Sequence, residues 1–193
     1  MSFKGWTEGE KKSLVRFTAP SKDAGNSSLV LDHEMWSFSP KINRVVKVPS
    51  SMMSQSWMGS DFSHSDLAKQ TDIIDQYRHT TVGHEKIDGH AVTVIESIPK
   101  DDASIVWGKE ILKIRDDLVI VERAFFDQDM KLVKKLTAYE ISSISGRMYP
   151  KRSRMQSAET PDEWTEVVND QLKFGVPIDS GLFTISNLSR SSS

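Results

Sequence analysis

The chain has 193 residues, a net charge of −2 and a hydrophobic fraction of 37%, which suits one domain with a sizeable core. The near-neutral charge gives no electrostatic pattern for binding nucleic acid or a membrane surface, and the lack of cysteine excludes disulfides, thiolate metal sites and a cysteine nucleophile. No apolar run approaches the ~18 residues of a membrane-spanning helix.

The first part of the chain is predicted to form short strands separated by Pro, Gly, Asp and Asn. Met1–Glu10 is polar and resembles part of a strand rather than a signal peptide, which leaves a cytosolic protein or a trimmed mature form. Period-2 alternation then predicts four strands: Ser13–Thr18, Ser28–Leu31, Met35–Ser39 and Arg44–Val48.

Residues 49–76 break this alternation. Met52, Met53, Trp57, Met58 and Phe62 fall within eleven positions of this insert. A segment with so many large apolar groups is expected to lie against something apolar. Ser63 or Ser65 is placed to cap a short helix through Asp66–Lys69, so we expect a loop or helical lid here.

Hairpin signals dominate the second half. His79–Ile87 and His90–Ile98 flank Asp88-Gly89, a pair that tolerates the positive φ of a tight turn. Further strands are predicted at Ile105–Ile114, Leu118–Phe126, Lys131–Ile141, Arg147–Gln156 and Trp164–Phe174. Ten or more strands joined mostly by tight turns predict a mainly β protein with an antiparallel meander.

The polar residues do not form a motif for catalysis. Ser60-Asp61 with His64 nearby resembles a fragment of a triad, but triad members come from separate elements, so capping or turn chemistry is favoured. His79, His84 and His90 surround one hairpin without metal-ligand spacing. We therefore predict no catalytic residues, no metal and no cofactor.

The apolar residues offer two interpretations. Alternation puts Trp36 and Phe38 on one face of their strand, and Val46 and Val48 share a face of the next. With the insert above them, these side chains either form an ordinary core or line a cavity for hydrocarbon. The candidate ligand-binding residues are Trp36, Phe38, Val46, Val48, Met52, Met53, Trp57, Met58 and Phe62.

Several runs resemble the outer-membrane lipoprotein-sorting protein family, which is related to the carrier LolA and its receptor LolB. The most specific is Ser56-Trp57-Met58-Gly59-Ser60-Asp61-Phe62. The others are Arg16-Phe17-Thr18-Ala19-Pro20, Asp23-Ala24-Gly25, Met35-Trp36-Ser37-Phe38-Ser39-Pro40, Val106-Trp107-Gly108-Lys109 and Gly181–Leu188.

The resemblance implies a curved antiparallel half-barrel of about ten or more strands, covered by short lid helices. It implies one domain over residues 1–188, with the family's N-terminal helix and strand missing or shortened, and we expect a disordered tail over residues 189–193. It also implies a periplasmic protein, exported by a signal peptide that this chain lacks. Its ligand would be lipoprotein acyl chains or another lipid, and an inner-membrane transporter is a candidate partner.

Three classes of function remain open. The first is a periplasmic carrier with a cavity beneath the insert. The second is a soluble adaptor with a filled interior, whose exposed insert Met52–Phe62 docks on a membrane transporter or envelope protein. The third, an enzyme, has no motif in its favour.

Overall fold

The computed structural model describes residues 1–190, and half of the chain is strand. The described part contains twelve β-strands and three short α-helices. The strands are β1 Ser2–Glu8, β2 Lys12–Ala19, β3 Ser27–Leu31, β4 Glu34–Ser39, β5 Arg44–Lys47, β6 Tyr77–Ile87, β7 His90–Pro99, β8 Lys109–Arg115, β9 Ile120–Phe126, β10 Leu132–Ile144, β11 Arg147–Ser157 and β12 Thr165–Val168. The helices are α1 His64–Ala68, α2 Asp72–Asp75 and α3 Ile185–Leu188, and 3-10 turns span Ser50–Met52 and Ser180–Phe183.

The chain divides into two compact units. The first unit comprises Met1–Trp57, Ser63–Thr71 and the segment from Val176 onward, and the second comprises Met58–Phe62 and Asp72–Gly175. The first unit contains a five-stranded antiparallel sheet in the order β1-β2-β3-β4-β5. Every strand pairs with its sequence neighbour, so this sheet is a simple meander.

The second unit contains a seven-stranded antiparallel sheet in the order β12-β11-β10-β9-β8-β7-β6. The predicted hairpin at Asp88-Gly89 is confirmed, since Ile87 pairs with His90 and both turn residues have positive φ, 49° and 86°. Bulges interrupt β6 between Thr81 and Gly83 and β10 around Tyr139.

The prediction of a mainly β, antiparallel fold is confirmed, and the strands of residues 1–190 form two separate hydrogen-bonded sheets, of five and seven strands. The reason is that 29 residues, from Val48 to Gln76, separate β5 from β6. Without a tight turn there, β5 and β6 do not pair, and each becomes an edge of its own sheet.

The helices are short, and none in residues 1–190 has the length and apolar character needed to cross a membrane. Of the two predicted cap residues, Ser63 caps α1: its Oγ accepts from the Asp66 amide at 3.2 Å, and Asp66 accepts from the Ser63 amide at 2.7 Å. Ser65 lies within the helix, which begins two residues before the predicted range. Of the predicted tail 189–193, residues 191–193 lie outside the described part of the chain.

Candidate functional site

The five-stranded sheet has two apolar faces. Directly paired residues of an antiparallel sheet share a face, so the row Leu14, Leu29 and Trp36 lies on one side. The next row, Val30 and Met35, lies on the other side. We call the first the C-terminal face and the second the insert face, after the segments that cover them.

The C-terminal face packs against the segment after Ile178. Phe183 and Leu188 are buried there together with Leu14, Leu29 and Phe38. Two side chains of the sheet also fix this segment, because Arg16 donates to the Asn187 carbonyl at 2.8 Å and Ser27 donates to the Leu188 carbonyl at 3.0 Å. This cover is therefore held by apolar contacts and by two hydrogen bonds, of which the one from Ser27 is buried.

The insert face packs against the insert. Met53, Trp57 and Leu67 lie against Val30 and Met35, and Ala68 of α1 is buried with them. The Trp57 ring also lies 5.3 Å from the ring of Phe17, centroid to centroid. Its indole nitrogen donates to Ser28 Oγ at 3.1 Å, a side-chain hydrogen bond between insert and sheet. Side-chain packing thus dominates the contact.

The structure brings some of the nine candidate residues together and separates others. Val48, Met53 and Trp57 gather on the insert face, and Val46 points to the same side because it pairs with Ser37. Val46 and Met52 are exposed, at 50% and 39%.

Trp36 and Phe38 lie on the opposite side of the sheet from the insert, contrary to the expectation that they lie beneath it. The alternation along β4 is as predicted, but Met35, not Trp36, faces the insert. Met58 and Phe62 belong to the second unit, where Asp61 accepts a 2.6 Å hydrogen bond from Thr165 of β12.

One face of the seven-stranded sheet carries several ion pairs. Lys113 lies 3.1 Å from Glu85 and 3.8 Å from Glu122, and Lys135 lies 3.7 Å from the same Glu122. Hydrogen bonding to Glu85 holds the pKa of Lys113 above its ordinary value. Such partly exposed charges keep this face in contact with water.

The other face of this sheet contains a buried acid. Glu110 is only 1% exposed, accepts from Tyr77 Oη at 2.6 Å and pairs with Arg123 Nε at 2.5 Å. Burial, followed by the charge of Glu110, raises the pKa of Tyr77 well above its ordinary value. The three side chains form a satisfied polar cluster, as a buried charge requires.

Sequence reasoning missed this cluster. The sequence did contain a signal for a buried acid, because alternation along β8 puts Glu110 on the same face as Leu112 and Ile114. A carboxylate in phase with apolar residues predicts a buried partner, but its partners Tyr77 and Arg123 come from β6 and β9.

His90, at the start of β7, and Asp116 and Asp117, in the turn after β8, have potential ligand atoms within 4.8 Å of one another. Arg115 bonds to two of the three, since it lies 2.7 Å from His90 Nε2 and 2.6 Å from Asp117 Oδ2. The hydrogen bond from His90 lowers the pKa of Asp116. A fixed guanidinium among these groups favours an ion-pair cluster over a metal site.

A cleft beside these turns has a volume of about 200 Å³. It is smaller than the roughly 300–1,000 Å³ typical of ligand pockets, so it is a weak candidate for a binding site. Its walls are Ile87, Asp88, Arg115, Val121, Ala138, Tyr139 and Ile141.

The fold is similar to those of several solved structures. The structure is similar to a domain from Vibrio parahaemolyticus described as an outer membrane lipoprotein-sorting protein, with a TM-score of 0.85 and 24% identity over 97% of this chain and 83% of that one. It is also similar to a DUF1329 family protein from Desulfovibrio piger, with a TM-score of 0.77 and 24% identity over 96% and 81% of the two chains. A LolA superfamily protein from Nitrosomonas europaea gives a TM-score of 0.69 at 19% identity, over 94% and 80%.

No curated protein matches the chain significantly. A family model, described as that of an uncharacterized protein, matches residues 9–190. The match covers nearly the whole chain, including the motifs that carry the resemblance. The chain belongs to this family, DUF1329, and shares the fold of the LolA-like outer-membrane lipoprotein-sorting proteins.

Proposed function

We propose that this protein binds the acyl chains of a lipoprotein, or of another lipid, and carries them within the periplasm of the cell envelope. Family membership and the fold shared with proteins described as lipoprotein-sorting support the proposal. The proposal assigns no catalytic step, since its residues act by excluding water from hydrocarbon.

We place the acyl site on the insert face of the five-stranded sheet. The observation that carries this choice is the apolar packing of Met53, Trp57 and Leu67 on Val30 and Met35, to which the Trp57 indole adds a hydrogen bond to Ser28. Hydrocarbon can replace such contacts without leaving a buried charge unpaired.

The free energies of burial favour replacement of the insert's apolar contacts by a long acyl chain. Burying about sixteen carbons contributes on the order of 10 kcal/mol, at ~0.8 kcal/mol per CH₂. Exposing Met53, Trp57 and Leu67 costs roughly 1.5–3 kcal/mol each, and the partial burial of these side chains lowers that cost further. A long chain therefore outweighs the displaced cover, whereas a short chain does not.

The test is binding of a fluorescent fatty acid by two tryptophan variants. Trp57→Glu puts a charge on the insert face and is expected to abolish binding. Trp36→Glu is the matched control, because Trp36 is also partly buried on the same sheet but lies on the C-terminal face. Circular dichroism checks that each variant folds.

A second pair of variants avoids the risk of unfolding. Val46→Glu changes an exposed residue on the insert side of β5, and Ile42→Glu changes an exposed residue in the preceding turn. We expect Val46→Glu to weaken binding and Ile42→Glu to leave it unchanged. Equal binding by all four variants, or no binding by the unmodified protein, would contradict the proposal.

A docking role is the second candidate, favoured by the exposure of Val46 and Met52. In that role the insert contacts an inner-membrane transporter and no lipid enters the protein. Extraction of the purified protein followed by mass spectrometry distinguishes the two, because only the carrier is expected to retain lipid.

A further inference from the structure

β10 extends beyond the strand that pairs with it on one side. β9 pairs with β10 only from Leu132 to Thr137, whereas the pairing of β10 with β11 on the other side continues to Ile144. Residues 138–144, which we call the arm, therefore have one free edge. Within residues 1–190, no backbone hydrogen bond reaches the arm from the side of β9.

The turn that closes the arm fixes its hydrogen-bond pattern. The two turn residues, Ser145 and Gly146, have positive φ of 52° and 75°, which is typical of a type I′ turn. Ile144 and Arg147, on either side of this turn, are paired, so they exchange the first hydrogen bonds of the ladder. Residues further along the arm then alternate between bonding to β11 and pointing away from it.

Four backbone groups consequently point away from β11. The N–H and C=O of Ser142 are directed to β11, whereas those of Ser143 and Ile141 are directed to the free edge. Pro150 lies opposite Ile141, and a residue without an N–H is suited to a position where it donates no ladder bond. Two donors and two acceptors, two residues apart, are the groups with which a sheet edge accepts another strand.

The free edge borders the cleft of about 200 Å³. Ala138 and Ile141 of the arm, Val121 of β9 and Ile87 at the end of β6 give it aliphatic walls. The guanidinium of Arg115, also in the wall, is buried and already ion-paired. A cavity of about 150 Å³ is large enough for benzene. The cleft is therefore too small for a lipid but suits one large apolar side chain of a longer ligand.

Apolar side chains are exposed next to the cleft. Leu118, in the turn between β8 and β9, is 85% exposed, and Ile120, which precedes the wall residue Val121, is 42% exposed. A ligand that covers them gains stability from the apolar area removed from water. Unpaired backbone groups and exposed apolar side chains thus occur at the same end of the sheet.

We infer that the arm binds an extended peptide segment of another protein. The peptide adds to β10 as a strand, bonds to the backbone of Ile141 and Ser143, and places one large apolar side chain in the cleft. The β6–β7 hairpin favours a single strand over a second copy of this chain. Ile87 and Asp88 of that hairpin are part of the cleft wall, whereas β10 of a second copy would bring its own β11 with it. This inference goes beyond the proposed function, because the ligand is polypeptide and the arm lies in the second unit.

Amide hydrogen exchange of the unmodified chain, followed by NMR, tests the free edge directly. We expect the amides of Ile141 and Ser143 to exchange at least about tenfold faster than those of Ser142 and Ile144, which bond to β11. Equal protection of the four amides would show that the edge is covered and would overturn the inference.

The probe for binding is a phage-displayed library of random peptides of about nine residues, the length of an ordinary strand. Panning on the full chain is expected to enrich sequences with a large apolar residue among β-branched and aromatic neighbours. The most enriched peptide is then synthesised, and its affinity is measured by fluorescence anisotropy. A library without enriched sequences overturns the inference.

Two substitutions at one exposed position assign the binding to the edge. Ser143→Pro removes an outward N–H without removing a bond to β11, and Ser143→Ala is the matched control that keeps this N–H. Ser143→Pro is expected to weaken peptide binding at least about fivefold, through the lost hydrogen bond and the bulk of the ring, and Ser143→Ala to leave it unchanged. Equal affinities overturn the inference. Fatty-acid binding by both variants is expected to be normal, which separates this site from the proposed lipid site.

Ala138→Leu keeps the test valid if Ser143→Pro fails to fold, as judged by circular dichroism. The larger side chain fills part of the cleft and is expected to weaken binding of the selected peptide several-fold. Unchanged binding would overturn the role of the cleft. Analytical ultracentrifugation of the chain alone tests the other occupant, since a dimer that Ser143→Pro abolishes would assign the edge to a second copy and overturn the inference.

Discussion

The two sheets are stabilised in different ways. The five-stranded sheet buries apolar rows under two segments of its own unit, the insert and the C-terminal segment. The seven-stranded sheet has ion pairs on one face, and on the other the Tyr77–Glu110–Arg123 cluster lies among buried apolar residues such as Leu112 and Met155. Hydrocarbon can replace apolar side-chain contacts at little cost in free energy, whereas removing one partner of a buried ion pair is strongly destabilising. The comparison therefore supports the proposed placement of an acyl chain on the five-stranded sheet.

The largest expected effect is at the buried acid. Glu110→Ala leaves Arg123 and Tyr77 without their shared acceptor, so we expect a loss of roughly 3–5 kcal/mol in the free energy of unfolding. Urea unfolding measures it. Glu96→Ala is the control, because its partly exposed pair with Lys109 is worth only about 0–1 kcal/mol. Similar losses in the two variants would remove the contrast between the faces.

The apolar core of the five-stranded sheet gives the next effect. Leu29 is 0% exposed and packs under the C-terminal segment, so Leu29→Ala is expected to cost about 2–5 kcal/mol. Denaturant unfolding tests this against Leu118→Ala, in an exposed turn, for which no measurable change is expected. A loss below about 1 kcal/mol would show that this face is loosely packed.

Tyr77→Phe tests the buried cluster through the pH dependence of the free energy of unfolding. Removing the hydroxyl takes one donor from Glu110 and is expected to cost roughly 1–3 kcal/mol near neutral pH. In the unmodified protein the folded pKa of Tyr77 is raised above its ordinary 10.0. Its contribution is therefore fully present below pH 10.0 and is lost as the pH rises from there towards the folded pKa.

Unfolding monitored from pH 8 to 11 should therefore show a steeper loss of stability in the unmodified protein than in Tyr77→Phe, at about the ordinary titration range of tyrosine. Equal slopes for the two proteins would mean that Tyr77 titrates normally and that the cluster is open to water.

The smallest effect is expected on the ion-paired face. Lys113→Ala removes a partly exposed cation between Glu85 and Glu122, and the expected change in unfolding free energy is about 0–1 kcal/mol. Raising the salt concentration should shrink even that difference. A loss comparable with that of Glu110→Ala would show that this face is desolvated.

Much of the local structure could be predicted from the sequence. The hairpin at Asp88-Gly89 was placed correctly, and the helix cap was narrowed to Ser63 or Ser65, because each depends on neighbouring residues only. The strands β2, β3 and β4 extend the predicted ranges by a residue at one or both ends. The last strand is only Thr165–Val168, far shorter than predicted from residues 164–174.

Long-range arrangement was harder to predict. Alternation divides β4 correctly into two sets, but it does not say which set the insert covers, so Trp36 and Phe38 were placed beneath the wrong segment. The C-terminal motif carried the family resemblance, yet nothing local indicates that Phe183 and Leu188 bury Leu29. Likewise, the cross-strand partners of Glu110 depend on register, which only the folded sheet defines.

The most direct test of the central claim is an electron-density map of the protein saturated with a long-chain fatty acid. We expect elongated density between the insert and the sheet, in contact with Val30 and Met35, with Met53 and Trp57 displaced from their present positions. An insert face still filled by the protein's own side chains, under conditions where the fatty acid is bound elsewhere or not at all, would contradict the account.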